Sequence, residues 1–381
     1  MLQHVIAVTQ VRYKRDYVTD TADTVPTVLT TDSRDTHILG RPHWREGMQQ
    51  YLDLVRHVLT EGAYKPNRTG VDTLSAFGRH YEVDLQEGYP LLTTKKMDGV
   101  RWNSMIHELL WYFSGEAHVR TLREETGIWD EWADEEGHLD TAYGRFWRRF
   151  PVPDEGAQLP GESWPDDAHR WVDEEEGTFD QLQYVMDTLE ESPQSRRLVV
   201  NAWHPANAAV STLPPCHYTF VFNVQGDALN VHLTQRSGDV ALGIPFNIAA
   251  YALLAHVVAQ RTGFEVGRFS HTVVDAHVYC GEGARGEWYR DNRAELRDRL
   301  SAVSDRAEYA DVRDWIRETA PLEPGAENAD HVPNLLTQLT REPRERPTID
   351  VADEPIDELA FDDIELRDYE SADGLPFAVA E

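Results

Sequence analysis

Apolar residues recur at helical spacing in four stretches of this chain. Tyr51, Leu52, Val55, Val58 and Leu59 form a stripe that stops at Gly62. Trp102, Met105, Ile106, Leu109, Leu110 and Phe113 form a second over 102–115, and the pattern returns over 179–189 and 248–260. Between these the period falls to two. That alternation predicts strands at 73–83, at 198–203 with Pro205 closing it, and at 218–224, where Tyr218, Phe220, Phe222 and Val224 share a face. No apolar run approaches the roughly 18 residues of a membrane span, and the N-terminus lacks a basic segment followed by a signal-type core. The expectation is a cytoplasmic protein with no membrane partner. No repeat of 20 to 50 residues is visible.

Charge changes the picture more than composition does. The chain carries 67 acids against 36 bases, a net charge of −31. That is far too negative for a protein whose main partner is nucleic acid. Lys14, Lys65, Lys95 and Lys96 are the only lysines, so arginine supplies nearly all the positive charge. A surface of this kind stays soluble in concentrated salt, where screening shortens the Debye length to about 3 Å at 1 M and self-repulsion costs little. Residues 1–47 are neutral by contrast, so residues 48–381 carry the whole −31. The first 47 residues read as an N-terminal extension that is disordered or not translated.

Candidate chemistry gathers in residues 213–247, where a thiol (Cys216), a guanidinium (Arg236), a carboxylate (Asp239) and a carboxamide (Asn247) lie close in sequence. With two cysteines in the chain no disulfide framework is available, and the Cys216 thiol is free to react. Arg236 is the candidate cation to lower its pKa. Taken alone, Cys216 reads as a buried structural cysteine, Arg68 as a solvated charge and Asn247 as the cap opening the helix at 248–260. Glu108, on the shoulder of its helix beside Met105 and Tyr112, is a surface glutamate or a partly desolvated carboxyl with its pKa raised toward the range useful for proton transfer. Cys216, His217 and His277 have no metal-ligand spacing.

The motifs decide between these readings. Pro-Pro-Cys-His at 214–217, Gln-Arg-Ser-Gly-Asp at 235–239, Leu-Gly-Ile-Pro-Phe-Asn at 242–247 and Asp-Ala-His-Val-Tyr at 275–279 together resemble the thymidylate synthase family. The resemblance runs from Met48 to the C-terminus, interrupted by insertions at about 154–177, rich in Pro, Asp, Glu and Gly, and at 281–330. In the second, Trp288, Leu296, Leu300 and Trp315 predict extra helix. The resemblance implies an α+β fold with a large mixed β-sheet, flanking helices, and two sheets packed face to face in a homodimer.

It also implies a methyltransferase that converts dUMP to dTMP with 5,10-methylenetetrahydrofolate as co-substrate and no metal. Cys216 would be the nucleophile, Glu108 and Tyr143 would handle protons, and Asn247 would read the uracil edge. Arg68 and Arg236 would hold the phosphate locally, while Arg196 and Arg197 would reach it from the other subunit. Gln235, Ser237, His277 and Tyr279 would complete the dUMP site, with Asp239 serving both ligands. Lys95, Trp129, Trp132, Gly243, Phe246 and Ala380 would face the folate. Relatives commonly end in an aliphatic residue, and Glu381 departs from that pattern. The competing readings are a nucleotide hydroxymethylase of the same family, a hydrolase pairing Cys216 with His217, and a non-catalytic nucleotide binder. Adjacent residues on a strand point to opposite faces, which disfavours the hydrolase.

Overall fold

The computed structural model describes residues 47–67, 70–140, 142–152, 170–322 and 329–379. These lie within one unit, His43–Glu381. Arg68, Ala380, Glu381 and all of the N-terminal extension but Gly47 lie outside the described residues.

The first apolar stripe folds as α1 (Gln49–Glu61) and ends where Gly62 donates its N–H to Val58 O at 2.9 Å. After β1 (Ala63–Lys65) and β2 (Val71–Asp84) comes α2 (Val100–Ser114), stopped by Gly115 in the left-handed conformation at φ +69°. Next are α3 (Tyr143–Arg148), β3 (Phe150–Pro151), β4 (Val172–Asp173) and β5 (Thr178–Phe179), the three strands forming a small sheet in the order β3-β5-β4. Part of the expected acidic insertion is therefore ordered. Its anchor is Trp171, whose ring packs on Phe179 and Tyr184, at 6.4 and 5.0 Å between centroids.

Because β5 takes Phe179, the helix predicted from that residue starts later, as α4 (Gln181–Glu191), with the Asp180 carboxylate accepting from Gln183 N–H. Then follow β6 (Val199–Asn201), α5 (Pro205–Val210), β7 (His217–Gln225), β8 (Ala228–Asp239), α6 (Gly243–Thr262) and β9 (Glu265–Glu282). Pro205 opens α5, where a missing N–H costs nothing, rather than merely ending a strand. The stretch 283–319 contains α7 (Gly283–Asp291), α8 (Arg293–Ala302) and α9 (Tyr309–Thr319). The described chain closes with α10 (Val332–Leu339) and the hairpin of β10 (Thr348–Val351) and β11 (Ile364–Arg367).

The main sheet runs β1-β2-β9-β8-β7-β6, antiparallel throughout except for the parallel pair β8 and β9. A parallel pair needs a crossover, and α6 supplies it. The helix is apolar on nearly every side and packs on β8 and β9, while α1 packs on β2 and β9. At 20 residues it is long and apolar enough to cross a membrane by composition, and it is mostly buried inside the protein. The helix joins shorter apolar runs that Asn247 and His256 interrupt. Asn247 moves from the cap into the helix, since α6 begins at Gly243 and tolerates Pro245 in its first turn.

The buried positions change parity within three neighbouring strands. They pass from Phe269, His271 and Val273 to Ala276, Val278 and Cys280 in β9, and from Leu233 and Gln235 to Gly238 in β8. In β2 they pass from Val83 to Ala76 and Leu74, with Gly78 at φ +67° between them. Ala276 pairs with both Ala76 and Gly238, so the three irregularities lie level and the register between strands is kept. Arg236, Ser237 and Asp275 stand at this step.

Candidate active site

Cys216 immediately precedes β7 and is held by its own backbone. Its N–H donates to the Tyr143 hydroxyl at 2.7 Å, and its C=O accepts from Arg236 N–H at 2.8 Å. The Arg236 side chain grips the two prolines before it, donating from Nε to Pro215 O at 2.9 Å and from Nη2 to Pro214 O at 2.6 Å. The guanidinium thus fixes the loop that carries the sulfur. Burial pushes the thiol pKa up and the Arg236 charge pulls it down; burial wins, and the net direction is upward. The expectation that Arg236 would depress this pKa is corrected: its pull is real but is the smaller of the two.

Glu108 keeps some contact with solvent, yet the packing around its carboxyl pushes the pKa up to about 7. The Trp129 hydrogen bond and the nearby Tyr112 hydroxyl oppose the rise without cancelling it. The first of these runs from Trp129 Nε1 to Glu108 Oε1 at 2.7 Å. Trp129 is therefore a buried partner of the carboxyl, a role its sequence neighbourhood did not reveal, whereas Trp132 beside it is half-buried. Tyr143 lies with its ring 3.8 Å from that of His217 and nearly parallel to it.

His217 does not act as a base for Cys216. Its Nδ1 meets the Tyr251 hydroxyl at 2.7 Å, and burial drops its pKa to about 3. The hydrolase reading loses its base.

Behind Cys216 the groups expected at the nucleotide join in a chain. Gln235, nearly fully buried, donates from Nε2 to Asn247 Oδ1 at 3.0 Å and contacts His271 Nε2 through Oε1 at 3.0 Å. His271, a polar residue at an inward position of β9, escaped the sequence reading; that parity was the available signal. Ser237 Oγ lies 3.5 Å from His277 Nδ1, and the His277 and Tyr279 rings meet edge to face at 5.2 Å.

Toward the expected folate side, burial would raise the Asp239 pKa, but His331, His277 and the Ala241 N–H outweigh it and hold the carboxylate below its usual range. Gly243 and Phe246, both half-buried, lie in the first turns of α6. Lys95 is nearly fully buried rather than extended toward solvent. Its Nζ donates to Ala241 O and lies 5.0 Å from the centroid of the Phe377 ring, and burial lowers its pKa to about 7. His331, also missed, donates from Nε2 to Ala378 O at 2.9 Å, and Asn334 Nδ2 donates to Pro376 O at 2.7 Å. These bonds lay the C-terminal segment beside Lys95 and His331.

The remaining phosphate candidates are not assembled with these. Arg196 and Arg197 are exposed just before edge strand β6, and neither has an ion-pair partner among the described residues. No group of three or more His, Cys, Asp and Glu residues is arranged to hold a metal among the described residues.

The family model described as thymidylate synthase matches residues 49–381. The chain belongs to the thymidylate synthase family. It is also 72% identical, over 331 residues, to a relative from Haloferax volcanii named "Thymidylate synthase". That match covers 87% of this chain and 96% of the relative. The α+β fold with its large mixed sheet agrees with this membership.

Proposed function

We propose that this protein is a thymidylate synthase, a methyltransferase that reductively methylates dUMP to dTMP and releases dihydrofolate. The observation that carries the reading is Cys216, clamped between Tyr143 and Arg236 in a family member with Glu108 poised near pH 7. Cys216 gives up its thiol proton to water as its sulfur adds to C6 of the pyrimidine, and electron density moves to C5 and O4. Asn247 donates to O4, and Glu108 delivers a proton there through water. 5,10-Methylenetetrahydrofolate supplies the methylene carbon and then the hydride. Tyr143 assists loss of the C5 proton, and the thiolate departs as the product forms. An ionised Asp239 suits a pterin N–H, and half-buried Trp132 offers an aromatic face.

The reading includes a cytoplasmic homodimer. Support comes from the uncovered face of the main sheet, where Phe77 is 86% exposed and a concavity of about 470 Å³ is lined by residues including Glu82, Asn223 and His232. Arg196 and Arg197, at the sheet edge, would cross to the partner's phosphate site and join Arg68 and Arg236. The acidic surface fits work in concentrated salt, as does the Haloferax volcanii relative.

The test is a spectrophotometric assay of dihydrofolate formation from dUMP and methylenetetrahydrofolate in concentrated salt. Stoichiometric dTMP and dihydrofolate are expected. A hydroxymethylated product from labelled folate, or no reaction, would overturn the assignment.

A further inference from the structure

Asn247 is a carboxamide, and a carboxamide reads a base edge only if its two ends are told apart. With the NH2 facing outward it favours the O4 acceptor of uracil; turned over, it favours the amino donor of cytosine. Nothing in the side chain itself prefers one orientation, so the preference must be imposed from behind.

The structure supplies a continuous line of hydrogen bonds for this. Tyr81 Oη lies 2.7 Å from His271 Nδ1, His271 Nε2 lies 3.0 Å from Gln235 Oε1, and Gln235 Nε2 lies 3.0 Å from Asn247 Oδ1. Each link constrains the next. Gln235 Oε1 can only accept, so His271 Nε2 carries the proton; Nδ1 must then accept, and the Tyr81 hydroxyl donates to it. At the other end Asn247 Oδ1 is engaged, and its Nδ2 makes no hydrogen bond among the described residues. His271 is fully buried and Gln235 nearly so, which makes reversal of any single link costly. Burial, reinforced by the charges of neighbouring histidines, drops the His271 pKa to about 3, so the ring stays neutral and keeps one donor and one acceptor nitrogen. His217 pairs with Gln235 in register, which places the line directly behind the residue next to Cys216.

We propose that Tyr81 and His271 are positioning residues that set the polarity of this line and thereby make Asn247 select uracil over cytosine nucleotides. The inference rests on the thymidylate synthase reading and deepens it. Residues remote from the base, on β2 and β9, act through Gln235 on a carboxamide that touches it.

The experiment uses the full chain in concentrated salt. Imidazole 15N NMR on the wild type should find His271 as the neutral Nε2–H tautomer, and equilibrium binding should give the ratio of dCMP to dUMP dissociation constants. Tyr81→Phe removes the donor to Nδ1 and should lower that ratio about tenfold, the effect of roughly 1.4 kcal/mol. His271→Leu should lower it at least as far. His271→Gln, whose amide can accept from Tyr81 and donate to Gln235, should retain most of it. A purely structural role would lower thermal stability without moving the ratio. An Nδ1–H tautomer in the wild type would overturn the proposal. So would an unchanged ratio in Tyr81→Phe while the wild-type protein still turns over dUMP, whereas failure of turnover itself would count against the function and not this line.

Discussion

The pocket around Cys216 and the arginine pair at the edge of the main sheet contrast within one protomer. In the pocket, backbone and side chains close on one another: Tyr143, Arg236, Gln235 and His271 all have partners, and burial pulls Glu108 and His271 far from their ordinary pKa values. At the edge, Arg196 and Arg197 stand exposed and without ion pairs among the described residues. The proposed covalent chemistry thus draws on groups of one chain, while part of the proposed phosphate grip calls for another. On that proposal desolvation is spent where reactivity must be tuned, and exposed charge is kept for a partner subunit.

The sharpest probe of the pocket is Cys216→Ser. Turnover should fall to background, roughly 10⁴-fold or more, with dUMP binding measured by calorimetry largely retained. Undiminished methylation would place the nucleophile elsewhere.

Glu108→Gln should cost about 10²- to 10⁴-fold in kcat. In the wild type, a step that needs the protonated carboxyl slows as pH rises through about 7, the pKa set by burial. A pH series of kcat/KM should show that inflection, and the variant should lack it.

The edge is probed by mixing. Arg197→Ala alone should raise KM for dUMP by about one to two orders of magnitude. Mixed dimers of a Cys216→Ser protomer with an Arg197→Ala protomer contain one doubly defective site and one intact site. They should regain up to about half of native activity if sites are shared; no recovery on mixing would mean that each protomer grips its own phosphate.

A smaller effect separates the regions by stability. His217 and His271 have folded pKa values near 3, below the ordinary 6.5, so the stability they contribute is present above pH 6.5 and lost as pH falls toward 3. Chemical denaturation midpoints should decline over that window, each histidine costing roughly 1.4 kcal/mol per pH unit. His271→Gln should flatten part of the decline, whereas Arg197→Ala should leave it unchanged.

What could be read from the sequence followed the range of the interaction. The stripe on α2 and the stop at Gly115 are local, and so was the desolvated shoulder position of Glu108, which the structure places against Trp129. The Pro-Pro-Cys-His and Gln-Arg-Ser-Gly-Asp motifs gave the groups but not their balance: whether burial or Arg236 controls the thiol depends on packing that no motif encodes. The start of α6 was misplaced because a proline in the first turn resembles a break. His271 and His331 were passed over because their partners lie 190 and 47 residues away along the chain. Trp129 was expected at the folate, and its bond to Glu108 went unread because an indole N–H donor is silent until its acceptor is positioned.

The most direct measurement is peptide mapping of the protein after incubation with 5-fluoro-dUMP and methylenetetrahydrofolate in concentrated salt. Fluorine at C5 blocks loss of the proton, so the account predicts one covalent adduct, on the peptide bearing Cys216. An adduct on any other residue, or a fully active protein that never forms one, would contradict it.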